Sequence, residues 1–329
     1  MPQSYRKIRI HRFGGPECLE LERFEAPKRT PGLVPVEVAY AGVNRADLLM
    51  REGNYHLRTL PLTPGCEASG RVTEDTEGFQ AGDRVLIFKA PSGMDSDFVE
   101  VGPECLIKIP DEISLEVAAS IPLNWLTAYD CLDRLMKLES GQTVAIFAAA
   151  SGVGQAAIQI ALARGARPFA VVSSDEKAKY LRDRYHIPVL ASAQPERIES
   201  WILDECREGV DGVFDLVGGP RFRLALKLAR AGGIVVQAAN PSLEDTLINV
   251  RDFYPKNLSI FGFQYGNLMA IGKDRFAEQL EKVLNGFRTG RFKPLERSVF
   301  SVDIAAQAHL RLQDRTHIGK VLIEFLGGN

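Results

Sequence analysis

Along the first part of the chain, short apolar segments alternate with Gly, Pro and charged positions. Residues 7–10, 34–40, 68–73, 84–88 and 105–109 each read as a strand bounded by turn chemistry. From Thr143 the rhythm changes: continuous apolar runs at 143–148, 169–172, 212–216, 234–238 and 258–263 alternate with helical periodicity at 154–164, 175–185, 195–208 and 220–230. Apolar runs of that kind suit strands buried on both faces, and their alternation with helices predicts a doubly wound parallel sheet. An amphipathic segment at 273–287 and a last apolar strand at 320–325 follow. The expected fold class is α/β: a β-rich part, then a Rossmann-type sheet.

Composition narrows the partners. The 329 residues are 45% hydrophobic and 25% charged, with a formal net charge of -2. That balance lacks the basic excess of a nucleic-acid binder, so nucleic acid is not an expected partner. Five scattered cysteines (Cys18, Cys66, Cys105, Cys131, Cys206) show no CxxC spacing, and the N-terminus carries no signal-peptide pattern, so reduced thiols and a cytoplasmic location are expected. No apolar run approaches the roughly 20 residues that span a bilayer, and no membrane anchor is expected.

The sharpest chemical signal is Ala149-Ala150-Ser151-Gly152-Val153-Gly154, placed directly between an expected strand and an expected helix. Small residues there let the backbone approach a pyrophosphate at the helix N-terminus. The next strand ends Val171-Val172-Ser173-Ser174 and is followed by Lys177. An NAD site usually has an acid where Val172 stands, to hold the ribose hydroxyls. Two hydroxyls and a lysine instead suit the 2'-phosphate of NADPH. Ser174 or Asp175 also reads simply as a helix cap, with Lys177 solvated.

In that context several motifs fall in one order: Phe13-Gly14-Gly15-Pro16-Glu17, Gly42-Val43-Asn44-Arg45-Ala46-Asp47, Pro64-Gly65-Cys66-Glu67-Ala68-Ser69-Gly70, Gly82-Asp83-Arg84-Val85, Trp125-Leu126-Thr127-Ala128-Tyr129, Asp215-Leu216-Val217-Gly218-Gly219 and Ile318-Gly319-Lys320-Val321. Over nearly its whole length the chain resembles the zinc-less quinone oxidoreductase branch of the medium-chain dehydrogenase/reductase superfamily. The resemblance implies a Rossmann cofactor-binding domain, residues 122–263, inserted in a GroES-like, β-rich catalytic domain made of residues 1–121 and 264–329. It also implies a cleft active site and a homodimer paired through the strand at 258–263. By the same resemblance Asn44 and Thr127 lie near the nicotinamide, and Ser151, Gly152, Val153, Ser173, Ser174, Lys177, Val217, Phe261 and Phe263 complete the NADPH site.

Zinc enzymes of the superfamily place Cys where this chain has Asn44 and His where it has Cys66, so no metal is expected. Without a Lewis acid the substrate must already be activated, which points to quinones and α,β-unsaturated carbonyls. Tyr55, in a Gly-Asn-Tyr segment similar to that of enoyl thioester reductases, is the candidate catalytic acid beside Asn44. A loop tyrosine that merely covers the site is the other reading. The expected activity is NADPH:quinone oxidoreductase or enone reductase. One alternative is an enoyl thioester reductase, with Arg51, Arg58 and Arg291 as basic residues at its mouth. Another, of a different class, is a zeta-crystallin-like cofactor- or RNA-binding protein. Two departures from the family pattern stand out: Ser192, where NADPH-using relatives often carry Tyr, and the segment 91–101, which lacks their Gly-Gly-aromatic run.

Overall fold

A long strand of mostly buried residues, Val34–Val43, organises the β-rich part of the chain. The computed structural model describes residues 3–25, 27–241, 243–270 and 275–326. The chain divides into two units, Met1–Leu123 with Arg275–Asn329, and Asn124–Asp274. In the first unit an outer ribbon of β1 (Ser4–Ile10) and β2 (Leu19–Glu25) precedes β3 (Val34–Val43) and α1 (Arg45–Arg51). Strands β4 (Glu67–Val72), β5 (Arg84–Phe88), β6 (Phe98–Val101) and β7 (Leu106–Lys108) and the short α2 (Leu115–Ala118) complete the N-terminal portion.

The boundary falls within α3 (Pro122–Tyr129), and the second unit continues with β8 (Thr143–Phe147), α4 (Gly152–Ala163), β9 (Arg167–Val172), α5 (Asp175–Tyr185) and β10 (Val189–Ala191). It goes on through α6 (Pro195–Glu205), β11 (Val210–Asp215), α7 (Pro220–Leu228), β12 (Ala229–Gln237), β13 (Ser259–Gly262) and α8 (Tyr265–Ala270). The chain then returns to the first unit with α9 (Phe276–Arg288), β14 (Arg297–Ser301), α10 (Ala305–Gln313) and β15 (Lys320–Glu324).

In the first unit the strand order is β14-β15-β3-β4-β5-β7, with β6 also on β3. β15 pairs antiparallel to β3, Val321 opposite Val43. The register of β3 against β4 slips between Val38 and Tyr40. Gly70 allows this close approach, because a β-carbon there would lie 2.1 Å from the Glu37 carbonyl oxygen. Val36, Val38, Ala41, Ala68, Val85, Ile87, Val321 and Ile323 build the core beneath.

The second unit is a parallel sheet in the order β10-β9-β8-β11-β12-β13. Its strands read as continuous apolar runs because Phe147, Phe169, Val213, Phe214 and Val235 are buried between helical layers. The order reverses between β8 and β11, the switch point at which open parallel sheets bind ligands. The α/β class and doubly wound sheet read from the sequence are the observed ones.

Several elements differ from the sequence reading. β2 and β14 escaped detection because each leaves alternate or consecutive positions exposed and lacks a continuous apolar run. α4 begins at Gly152, two residues before the expected start. α7 ends at Leu228, because Ala229 enters β12, whose register against β11 shifts before Gly212. The expected amphipathic helix at 273–287 is observed as Phe276–Arg288, and residues 273 and 274 lie outside the described residues.

Candidate active site

In the second unit the turn after β8 is shaped by close packing. Ala148 adopts φ 49°, and Ser151 caps α4 by accepting a hydrogen bond from the Gly154 N–H at 3.1 Å. A β-carbon on Gly154 would lie 2.6 Å from both Cα and O of Ala149, and one on Gly152 would lie 2.6 Å from Asn124 Oδ1. Backbone excludes a β-carbon at Gly154, whereas at Gly152 the Asn124 side chain would have to move aside. The N–H groups of Gly152 and Val153 fall in the first turn of α4, where an α-helix offers unused donors and a positive dipole end to a phosphate. This is a cradle that fits a pyrophosphate.

Beside it, β9 ends in buried Val172, then exposed Ser173 and half-buried Ser174. Ser174 caps α5 and accepts from the Lys177 N–H at 3.4 Å. Capping and phosphate contact are compatible there, since both use the helix N-terminus. Gln155 joins α4 to α5: it donates to Ala150 O at 3.0 Å and accepts from the Tyr185 hydroxyl at 3.0 Å. Ser192, after β10, is buried, and its hydroxyl accepts from the Gln194 N–H at 3.0 Å. At the end of β11 the buried Asp215 Oδ1 accepts from Val217 N–H (2.8 Å) and Gly218 N–H (3.0 Å). Burial nevertheless raises the Asp215 carboxyl above its usual range. Phe263 is buried at the end of β13, edge-on to Tyr265 with ring centroids 6.2 Å apart, while Phe261 is half-buried. Thr127 is buried in α3.

The first unit holds a second cluster, which the sequence reading missed. Lys320, at the start of β15 and 3% exposed, places its ammonium 2.5 Å from both Asn44 Oδ1 and Glu67 Oε1. Asn44 Nδ2 donates to Glu67 Oε1 at 2.8 Å and to Gly42 O at 3.2 Å. Asn44 is thus a buried group whose carboxamide is engaged at both ends. Asp47 accepts from the Asn44 N–H (2.7 Å) and the Gly65 N–H (3.0 Å). Burial outweighs those bonds and the Lys320 charge and pushes the Asp47 carboxyl up to about 6. Burial, with Asp47 next, raises Asp95 well above the carboxylate range, and neither of its carboxyl oxygens has a hydrogen-bond partner. Burial raises the Cys66 thiol likewise.

This cluster does not fit zinc. Asn44 offers no anionic ligand, Glu67 is committed to an ammonium, and Cys66 stands where a histidine would be needed. Among the described residues, the one His/Cys/Asp/Glu group with ligand atoms close enough for a metal is His11, Glu20 and Glu22 on the β1–β2 ribbon.

Tyr55 is half-buried, its ring 4.2 Å from that of the exposed His56. Arg51, read from the sequence as a basic residue at the mouth of a site, is instead fully buried. Its guanidinium donates to Gly14 O, Glu52 and Gln313 and lies 3.4 Å from His309 Nδ1. Arg58 and Arg291 are exposed.

Comparison with known proteins gives this geometry a family. Residues 30–109 match the alcohol dehydrogenase GroES-like domain and residues 152–285 match the family described as zinc-binding dehydrogenase. Quinone oxidoreductase-like protein 2 of Bos taurus is 32% identical over 307 residues, covering 89% of this chain and 85% of its own. Quinone oxidoreductase of Rattus norvegicus is 29% identical over 310 residues, covering 92% of each. A mycobacterial protein solved in complex with NADPH superposes with a TM-score of 0.89 at 25% identity, covering 98% of this chain and 100% of its own. No helix among the described residues is long and apolar enough to cross a membrane. The turn after β8, the sheet that carries it and these relatives together show that the chain is a nicotinamide-dependent oxidoreductase belonging to the quinone oxidoreductase branch of the medium-chain dehydrogenase/reductase superfamily.

Proposed function

We propose that this protein is an NADPH-dependent reductase that transfers a hydride to a quinone or α,β-unsaturated carbonyl compound without zinc, and that it works as a homodimer. The observation that carries the cofactor choice is the end of β9. Val172 is buried and apolar where an NAD site carries an acid for the ribose hydroxyls; two hydroxyls follow it, and the first turn of α5 brings Lys177 after Asp175 and Glu176. The N–H groups of Gly152 and Val153 and the Ser151 cap take the pyrophosphate, while Val217, Phe261, Phe263 and Thr127 line the path to the nicotinamide. The bound cofactor supplies a hydride to an electrophilic carbon.

The substrate class follows from what the chain's own residues can do. The Lys320 ammonium is spent on Glu67 and Asn44, so the buried cluster polarises no alkoxide. A substrate activated by its own conjugation needs no such help. Asn44, clamped at both ends, takes a positioning part and moves no proton. Tyr55 is the proposed donor to the carbanion-like carbon of an enone, or the group that orients its carbonyl.

The test is oxidation of NADPH and NADH, followed by near-ultraviolet absorbance, against 9,10-phenanthrenequinone, an alkenal and crotonyl-CoA. Turnover of the quinone or alkenal with NADPH supports the reading. Preference for crotonyl-CoA moves the activity to enoyl thioesters, and preference for NADH removes the cofactor assignment. Tyr55→Phe is expected to slow alkenal reduction by about tenfold or more if the phenol donates the proton. An unchanged rate leaves Tyr55 as a cover.

A further inference from the structure

The chain visits β8, β9 and β10 in one direction across the sheet, then crosses to β11 and β12 in the other. Right-handed crossovers therefore place α4 and α5 on one face and α6 and α7 on the opposite one. Lys177 approaches the carboxyl end of β9 from the first face. Arg221, the second residue of α7, stands on the other.

The Arg221 side chain does not simply point away into solvent. Its Nη2 donates to Ala193 O at 3.2 Å, tying the start of α7 to the loop after β10, which is separated from β11 by β9 and β8 in the sheet. The guanidinium thus lies across the carboxyl edge beyond the end of β9. Ala193 directly follows Ser192, whose small buried side chain turns inward onto Gln194 and leaves no polar group of its own for a ligand. The guanidinium is half-buried, and no carboxylate forms an ion pair with it among the described residues. Asp215 is near enough to stabilise its charge, but the bonded oxygen of that carboxyl faces the Val217 and Gly218 N–H groups. Ala193 O takes one of five guanidinium donors, and a partly desolvated cation with donors to spare suits an incoming anion.

We propose that Arg221 is a specificity-determining residue for the cofactor, contributing a second cation to the 2'-phosphate site from the face opposite Lys177. This inference rests on the NADPH reading above and adds to it. In a protein with serine at position 192, it assigns phosphate recognition to two cations brought in by different helices.

The experiment measures binding without turnover. Calorimetry gives the affinities of wild type, Arg221→Ala, Arg221→Gln and Lys177→Ala for adenosine 2',5'-bisphosphate and for 5'-AMP, with circular dichroism to check folding. Loss of one charge-assisted contact is expected to weaken the bisphosphate about tenfold in each variant and leave 5'-AMP unchanged. The double Arg221→Gln/Lys177→Ala variant should lose about a hundredfold if the two cations act independently. Bisphosphate binding that is unchanged in Arg221→Gln overturns the inference while leaving the NADPH reading intact. Equal weakening of both ligands also overturns it, because Arg221 would then be supporting the adenosine pocket rather than the phosphate. A wild type that binds the two ligands equally removes the NADPH reading, and the inference falls with it.

Discussion

At the scale of single residues, packing sets the cofactor turn. A methyl group on Gly154 would collide with the backbone of Ala149, which cannot swing aside as a side chain would. Gly154→Ala is expected to lose about 1–3 kcal/mol of stability in urea unfolding and to weaken NADPH binding; unchanged values for both would show that the turn yields. Elsewhere the controlling residue is His309. It is fully buried, with Nδ1 facing the Arg51 guanidinium, so Nδ1 must stay unprotonated and accept. Burial first, then the Arg51 charge, depresses its pKa to about 3. The unfolded chain binds that proton below about 6.5, so the stability owed to a neutral His309 is complete above 6.5 and is lost as pH falls toward 3. Asp47 acts the other way. Its raised folded pKa means stability is gained as pH falls from about 6 toward its ordinary range. Comparing wild type with His309→Gln isolates the histidine: the melting temperature of the wild type should fall more steeply between about pH 6.5 and 5. Parallel curves would show that His309 takes a proton without penalty. None of this was legible in the sequence, where His309 is one of five unremarkable histidines; its burial arises only when α10 packs against α1, β14 and β15.

At the scale of elements, strand pairing assembles the first unit's buried cluster from positions far apart in the chain. Asn44 follows β3, Glu67 opens β4 and Lys320 opens β15; antiparallel pairing of β15 with β3 and of β3 with β4 brings the three together. The sequence displayed each as part of a motif, Gly-Val-Asn, Cys-Glu-Ala and Gly-Lys-Val. It could not show that the lysine reaches the asparagine, because the register that joins them spans 276 residues. The turn after β8 was legible for the opposite reason: strand, turn and helix are local and contiguous. Lys320→Met removes the cation and strands a buried carboxylate, with an expected loss of about 3–5 kcal/mol in chemical unfolding. Lys320→Met combined with Glu67→Gln should recover part of that loss, since the second change removes the unpaired charge. A double variant no more stable than the single would show that Lys320 acts through packing alone.

At the scale of the whole molecule, the β13 edge of the parallel sheet has no strand beyond it among the described residues. β13 pairs with β12 on one side, and Ser259, Ile260 and Gly262 are exposed. The segment leading into it carries Leu243, Leu247, Ile248, Val250 and Tyr254, with Leu247 90% and Tyr254 61% exposed. A strand edge beside apolar side chains invites pairing with an identical edge, and two-fold symmetry uses up both copies of β13 in one contact, leaving only the short β10 at either end of the joined sheet. A net charge of only -2 offers little repulsion against that approach. Light scattering on the eluting protein is therefore expected to give twice the chain mass of 36.3 kDa. Leu247→Asp with Ile260→Lys, which places charge on the segment and on the edge strand, should give the single-chain mass and leave circular dichroism unchanged, because both side chains are already exposed in one chain. A wild type that elutes as a single chain at micromolar concentration would remove the dimer. A double variant that stays dimeric would move the interface to another face of the molecule.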